Sequence, residues 1–183
     1  MKKLSIIFAV LLVLLSTLAF GVGAEENVVV FTGNKFGSLA NAIDVVAEGG
    51  TVVLAEHYEI SPDEALKLPA KKVTITSKYG GTDYAQNGVY LGLGKALELS
   101  ADLTLENVVI KQTSNNKNAW GAIYANGHHL TIGEGVVTVA NESSKLYPSI
   151  FGGANAKGAL DSTYVTVMSG DWNNVFGGGY SDT

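Results

Sequence analysis

The sequence predicts an all-β chain built as a parallel β-helix, and three observations carry that prediction. Four triplets share one pattern: Val73-Thr74-Ile75, Leu103-Thr104-Leu105, Leu130-Thr131-Ile132 and Val165-Thr166-Val167, spaced 30, 27 and 35 residues apart. A second pair recurs after 25 residues, Ser149-Ile150-Phe151-Gly152-Gly153 and Asn174-Val175-Phe176-Gly177-Gly178. All but Gly21 and Gly23 of the 22 glycines lie beyond residue 24, against only three prolines, so turns are frequent and the chain is not a proline-rich linker. Imperfect self-similarity at this period marks a repeat array. Apolar-Thr-apolar is a strand alternation, each run ending within a few residues at Gly, Asn or Asp. Stacked coils would place Val73, Leu103, Leu130 and Val165, with Ile75, Leu105, Ile132 and Val167, along the inside. Thr74, Thr104, Thr131 and Thr166 would form a ladder outside.

From the N-terminus onward, residues 1–24 have the order of a secretory signal. Lys2 and Lys3 precede the apolar run Ile6–Leu15, then come small residues with Val22 and Ala24 before the expected cleavage point. The stretch from Leu4 to Phe20 is shorter than the roughly 20 apolar residues of a spanning helix. The mature chain is expected to be a single domain, residues 25–183, with no membrane association after cleavage. Ser38–Glu48 carries a helical stripe of Leu39, Ile43, Val46 and Ala47, with Asn41, Asp44 and Glu48 opposite. Ser38 is the expected cap at its start and Gly49-Gly50 at its end, so this segment reads as a short helix covering the first coil. Ser61-Pro62-Asp63-Glu64 has capping-box chemistry for no more than a turn or two. After Asn174-Val175-Phe176 the sequence holds glycines and a short polar tail. The last coil is therefore expected to be open or truncated, a surface for self-association or for further repeat units.

The stretches SLANAIDVVAEGGTVVLAEHYEI, LPAKKVTITSKYGGTDY and YVTVMSGDWNNVFGGG resemble the N-terminal part of bacterial cell-surface, adhesin-like proteins. These are right-handed parallel β-helices often found with S-layer-homology modules, of which this sequence has none. The resemblance implies an exported protein at the cell surface with a structural or adhesive role.

Composition narrows the chemistry. The whole chain is acidic, net −5, and becomes more so without Lys2 and Lys3, which gives no electrostatic footprint for nucleic acid. Cysteine is absent, so stability must come from burial and backbone pairing. Glycan-cleaving enzymes also use this fold, and a glycan-binding or glycan-cleaving, pectate-lyase-like β-helix is the alternative reading. A pectate-type lyase resembles a site of several carboxylates beside an arginine, and there is no arginine. Asp44, Asp63, Asp83, Asp102, Asp161, Asp171 and Asp182 are scattered, and Gly127-His128-His129-Leu130 matches the histidine motif of a polygalacturonase only superficially. Adjacent His128 and His129 would face opposite sides of a strand, with His57 far off in sequence, so no metal site is assigned. No cofactor and no catalytic residue is assigned either. Trp120, Tyr147, Trp172 and Tyr180 are candidate ligand-contact aromatics, for a cell-wall or host glycan or a surface protein, or else they cover coil corners.

Overall fold

Alternation decides which way each short strand faces, and stacking decides whether that facing is rewarded. The computed structural model describes residues 26–114, 121–154, 160 and 162–179. The expected signal segment, residues 1–24, and Trp120, Asp161, Tyr180 and Asp182 lie outside the described residues.

The chain enters on β1 (Glu26–Phe31) and passes through α1 (Gly33–Phe36) and α2 (Leu39–Val45). The first coil is β2 (Val46–Leu54), β3 (Tyr58–Ile60) and β4 (Leu66–Lys67). The second is β5 (Val73–Thr76), a small antiparallel hairpin of β6 (Lys78–Tyr79) and β7 (Thr82–Asp83), then β8 (Leu91–Leu93) and β9 (Ala96–Glu98). The third is β10 (Leu103–Glu106), β11 (Val109–Gln112) and β12 (Ala122–Tyr124). The fourth is β13 (His129–Ile132), β14 (Val137–Val139) and β15 (Ser149–Phe151), and the fifth holds β16 (Tyr164–Val167) and β17 (Asn174–Phe176).

Equivalent strands pair in parallel to make three walls. The first sheet runs β1-β2-β5-β10-β13-β16, the second β3-β8-β11-β14 and the third β4-β9-β12-β15-β17. The chain is a parallel β-solenoid of five coils among the described residues. The four predicted triplets align residue for residue: Thr74 pairs with Thr104, Thr104 with Thr131, and Thr131 with Thr166. Thr51 pairs with Thr74, so the ladder gains a fifth threonine that the triplet pattern did not include. The Ser149 and Asn174 repeats also pair in register. Their glycines are required there by close approach: a Cβ on Gly152 would lie 2.6 Å from the Gly177 oxygen, and one on Gly153 would strike the Gly179 backbone.

The inward residues form one continuous core down the axis. It includes Ile75, Leu105 and Ile132 from the first wall, Leu91 and Ile110 from the second, and Leu97, Ile123 and Ile150 from the third, all buried. In the fifth coil the expectation fails in part, because Val165 is only half-buried and Val167 is exposed. Their strand has a neighbour on one side only among the described residues. Among the described residues the second wall has no strand in this coil, and two hydroxyls hold the chain in its place. Thr138 Oγ1 accepts from the Asp171 N–H and donates to the Asp171 carbonyl, both at 2.6 Å. Ser169 Oγ donates to the Gly133 carbonyl at 2.6 Å and accepts from the Val136 N–H at 3.1 Å.

At the other end, α2 buries Leu39, Ala42 and Ile43 over the first coil. Ser38 caps it as expected, its hydroxyl accepting from the Asn41 N–H at 3.2 Å. The helix stops at Val45, earlier than the sequence suggests. Gly49 and Gly50 serve instead in a bulge of β2, where Glu26 pairs with Val46 but Val28 with Thr51. A side chain at Gly50 would come within 2.7 Å of the Asn27 oxygen. The C-terminal carbonyls are satisfied from the next coil: Lys71 Nζ donates to the Asp44 oxygen at 2.9 Å and the Val46 oxygen at 2.7 Å. Ser61–Glu64 forms no helix, and Ser61 Oγ closes a turn by accepting from the Asp63 N–H at 3.2 Å.

Candidate functional site

Because the interior is filled, chemistry facing a partner must sit on the outer faces of the three walls. On the first wall the threonine column runs the length of the solenoid, half-buried from Thr51 to Thr131 and exposed at Thr166. Beside it, His129 opens β13 with its ring stacked on Tyr164, centroids 4.1 Å apart and planes 14° from parallel. Asp102, one coil earlier, accepts the His129 backbone N–H at 2.9 Å, so that carboxylate fixes the corner that presents the imidazole. His128 lies in the preceding turn and is half-buried.

The second wall carries a similar device. His57 stacks on Tyr90 at 5.2 Å, and Lys111 Nζ lies 5.5 Å from the Tyr90 ring centre, within cation–π range. Lys111 also approaches Glu142 at 3.8 Å, an exposed pair of little energetic weight. His57 and His129 therefore serve different walls. On the third wall, Tyr124, Phe151 and Phe176 stack at 4.8 and 5.1 Å, and Tyr124 and Phe151 form, with Ala96 and Ala122, a second buried apolar cluster separate from the axial core.

Of the candidate aromatics, Tyr147 is half-buried in the loop between β14 and β15. Trp172 packs against the core in the fifth coil, and its Nε1 donates to the Ser169 carbonyl at 3.1 Å. Asp44 sits on the exposed side of α2, Asp63 in the turn after β3, Asp83 in the hairpin and Asp171 in the fifth coil. Among the described residues no three His, Asp or Glu side chains converge to hold a metal ion, and no helix is long and apolar enough to cross a membrane. Asn141 is buried, and its Oδ1 accepts the Ser143 and Ser144 N–H groups, each at 2.9 Å.

Sequence reasoning missed the polar residues that hold the coils. Gln112 points inward, where its amide oxygen accepts from the Gly121 and Ser114 N–H groups and its nitrogen donates to the Gly121 carbonyl. A lone glutamine at an apolar position of β11 was the available signal. Thr138 and Ser169 left none, since their partners lie 33 to 36 residues away. No protein-family model, curated protein or solved structure matches this chain.

Proposed function

We propose that this chain is an exported structural or adhesive β-solenoid, displayed at or beyond the cell surface, whose work is contact rather than catalysis. The observation that supports this most is the in-register threonine column on the first wall, with the His129–Tyr164 pair beside it. Parallel stacking turns a few residues per coil into a stiff, repeated surface of hydroxyls and methyls, suited to an extended partner. A cell-wall or host glycan, or a surface protein, has that shape, and the secretory order of residues 1–24 would deliver the chain to it.

Glycan binding with cleavage is the second reading, favoured by the two exposed imidazole–phenol stacks, whose rings and polar edges suit sugars. One experiment separates the readings. The secreted chain, its intact mass checked for a start at Glu25, is presented with a panel of polysaccharides and wall fractions, scoring retention and product release separately. Retention that is lost in Thr104→Lys/Thr131→Lys without any release supports the adhesive reading. Release of oligosaccharides that survives repurification overturns it.

A further inference from the structure

The sequence holds two Asn-Gly pairs, Asn87-Gly88 and Asn126-Gly127, and the fold puts them in opposite circumstances. Asparagine before glycine is prone to self-modification, because the next backbone nitrogen can reach the side-chain amide carbon with no Cβ in its way. The reaction also needs a side chain free to swing, a glycine N–H free to lose its proton, and water.

Asn126 is held from both neighbouring coils. Its Nδ2 donates to the Leu99 carbonyl of the second coil at 2.8 Å, and its own N–H donates to the Gly153 carbonyl of the fourth at 3.3 Å. The Gly127 N–H donates to the Gly152 carbonyl at 3.0 Å, again one coil on. Asn126 has φ 53°, a left-handed corner that asparagine tolerates well, and a Cβ at Gly127 would come within 3.3 Å of the Ser162 oxygen. Freeing the reacting groups here means parting three coils.

Asn87 lies in the turn between β7 and β8, and both it and Gly88 are exposed. The Asn87 N–H donates to the Tyr84 carbonyl and the Gly88 N–H to the Ala85 carbonyl, each at 3.0 Å and each within the same turn. The neighbouring amide is the one that is held: Gln86 Nε2 donates to Asp83 Oδ2 at 3.0 Å. The Asn87 side chain makes no hydrogen bond among the described residues. A Cβ at Gly88 would meet nothing within 4 Å, so the approach is open. Local bonds of this kind open without disturbing the stack.

We propose that Asn87-Gly88 is a self-modification site whose only co-reactant is water. The Gly88 nitrogen gives up its proton and bonds to Asn87 Cγ, the Cγ–Nδ2 bond breaks, and the amide nitrogen leaves with that proton as ammonia. Water then opens the cyclic imide at either carbonyl. One product is aspartate, and the other is isoaspartate, whose backbone runs through Cβ and Cγ. Both add a negative charge to the turn that leads into Tyr90, and isoaspartate also lengthens its backbone by a methylene. Tyr90 stacks on His57 and meets Lys111, so the change falls beside the polar patch of the second wall. The conversion is independent of any ligand on the outer walls.

The secreted, processed chain, incubated for weeks at neutral pH and body temperature, should gain acidic forms on ion exchange. Peptide mass spectrometry with isoaspartyl methyltransferase labelling should place the change at Asn87. In the folded chain Asn87 should react at least about tenfold faster than Asn126, and in urea that difference should disappear. Asn87→Gln, which does not close the same ring, should suppress the acidic form while leaving the far-UV spectrum unchanged. Equal rates at Asn87 and Asn126 in the folded chain overturn the proposal. So does an Asn87 still intact in the folded chain when the urea-unfolded chain has been converted.

Discussion

Ile132 and Thr131 are neighbours in one strand and belong to different environments. Ile132 is fully buried in the axial core, and Thr131 faces outward in the threonine column. Ile132→Asp should therefore cost about 3–5 kcal/mol, because a lone carboxylate would enter a dry core, and Thr131→Asp about 1 kcal/mol or less. Urea unfolding of the two variants checks this, and equal losses would contradict the facing assigned to β13. Gln112 makes a second residue-scale case. It is buried, yet it satisfies both backbone groups of Gly121 and the N–H of Ser114. Gln112→Leu keeps the volume but strands those groups, so a loss of about 2–4 kcal/mol is expected in the same assay. Gln86→Leu, at an exposed turn, should stay within about 0.5 kcal/mol.

At the scale of elements, the N-terminal cap shows how a seven-residue helix survives without the length to be stable alone. Its apolar side is buried on the first coil, Ser38 caps its start, and Lys71 reaches its last carbonyls. Tyr58 lies under it, meeting Phe31 edge-on at 5.6 Å. Burial pushes the Tyr58 phenol above its ordinary value of 10.0, while a hydrogen bond with the Leu39 backbone pulls it down by less. The folded chain thus holds this proton more tightly than the unfolded chain does. Its contribution to stability is complete below pH 10.0 and is lost as pH rises through the higher folded value. Denaturant midpoints measured from neutral pH upward should fall above that point, and Tyr58→Phe should remove this component of the fall.

For the whole molecule, stability is spread along one dimension, because each coil touches only the coils on either side. The central coils are covered on both sides, the first is covered by α2, and in the fifth Val167 and Val175 are exposed. Native-state hydrogen exchange should therefore show a gradient. Amides of β10 and β11 should exchange most slowly, those of β2 should be intermediate, and those of β16 and β17 fastest. Uniform protection across all five coils would show that the fifth coil is as stable as the centre.

Local alternation and repetition along the chain were enough to read the solenoid and the register of two of its walls in the later coils. In a parallel stack each residue lies over its equivalent, so local alternation and self-similarity carry the same information as the contacts. That is why Thr74, Thr104, Thr131 and Thr166 were legible as one column, and why the Ser149 and Asn174 repeats pair as their likeness suggested. The Ser38 cap was legible for a similar reason, since its partner is three residues away. Tertiary structure alone decided the rest. Thr51 joined the ladder although its neighbours do not repeat the triplet, Gly49-Gly50 went into a bulge instead of ending a helix, and Lys71 did that work from 25 to 27 residues away. The second wall, pairing Tyr58, Leu91, Ile110 and Thr138, stacks unlike residues and left no repeat to find. Corner length varies from coil to coil, so which side chain meets which carbonyl is set by how the coils close, and no local pattern encodes it.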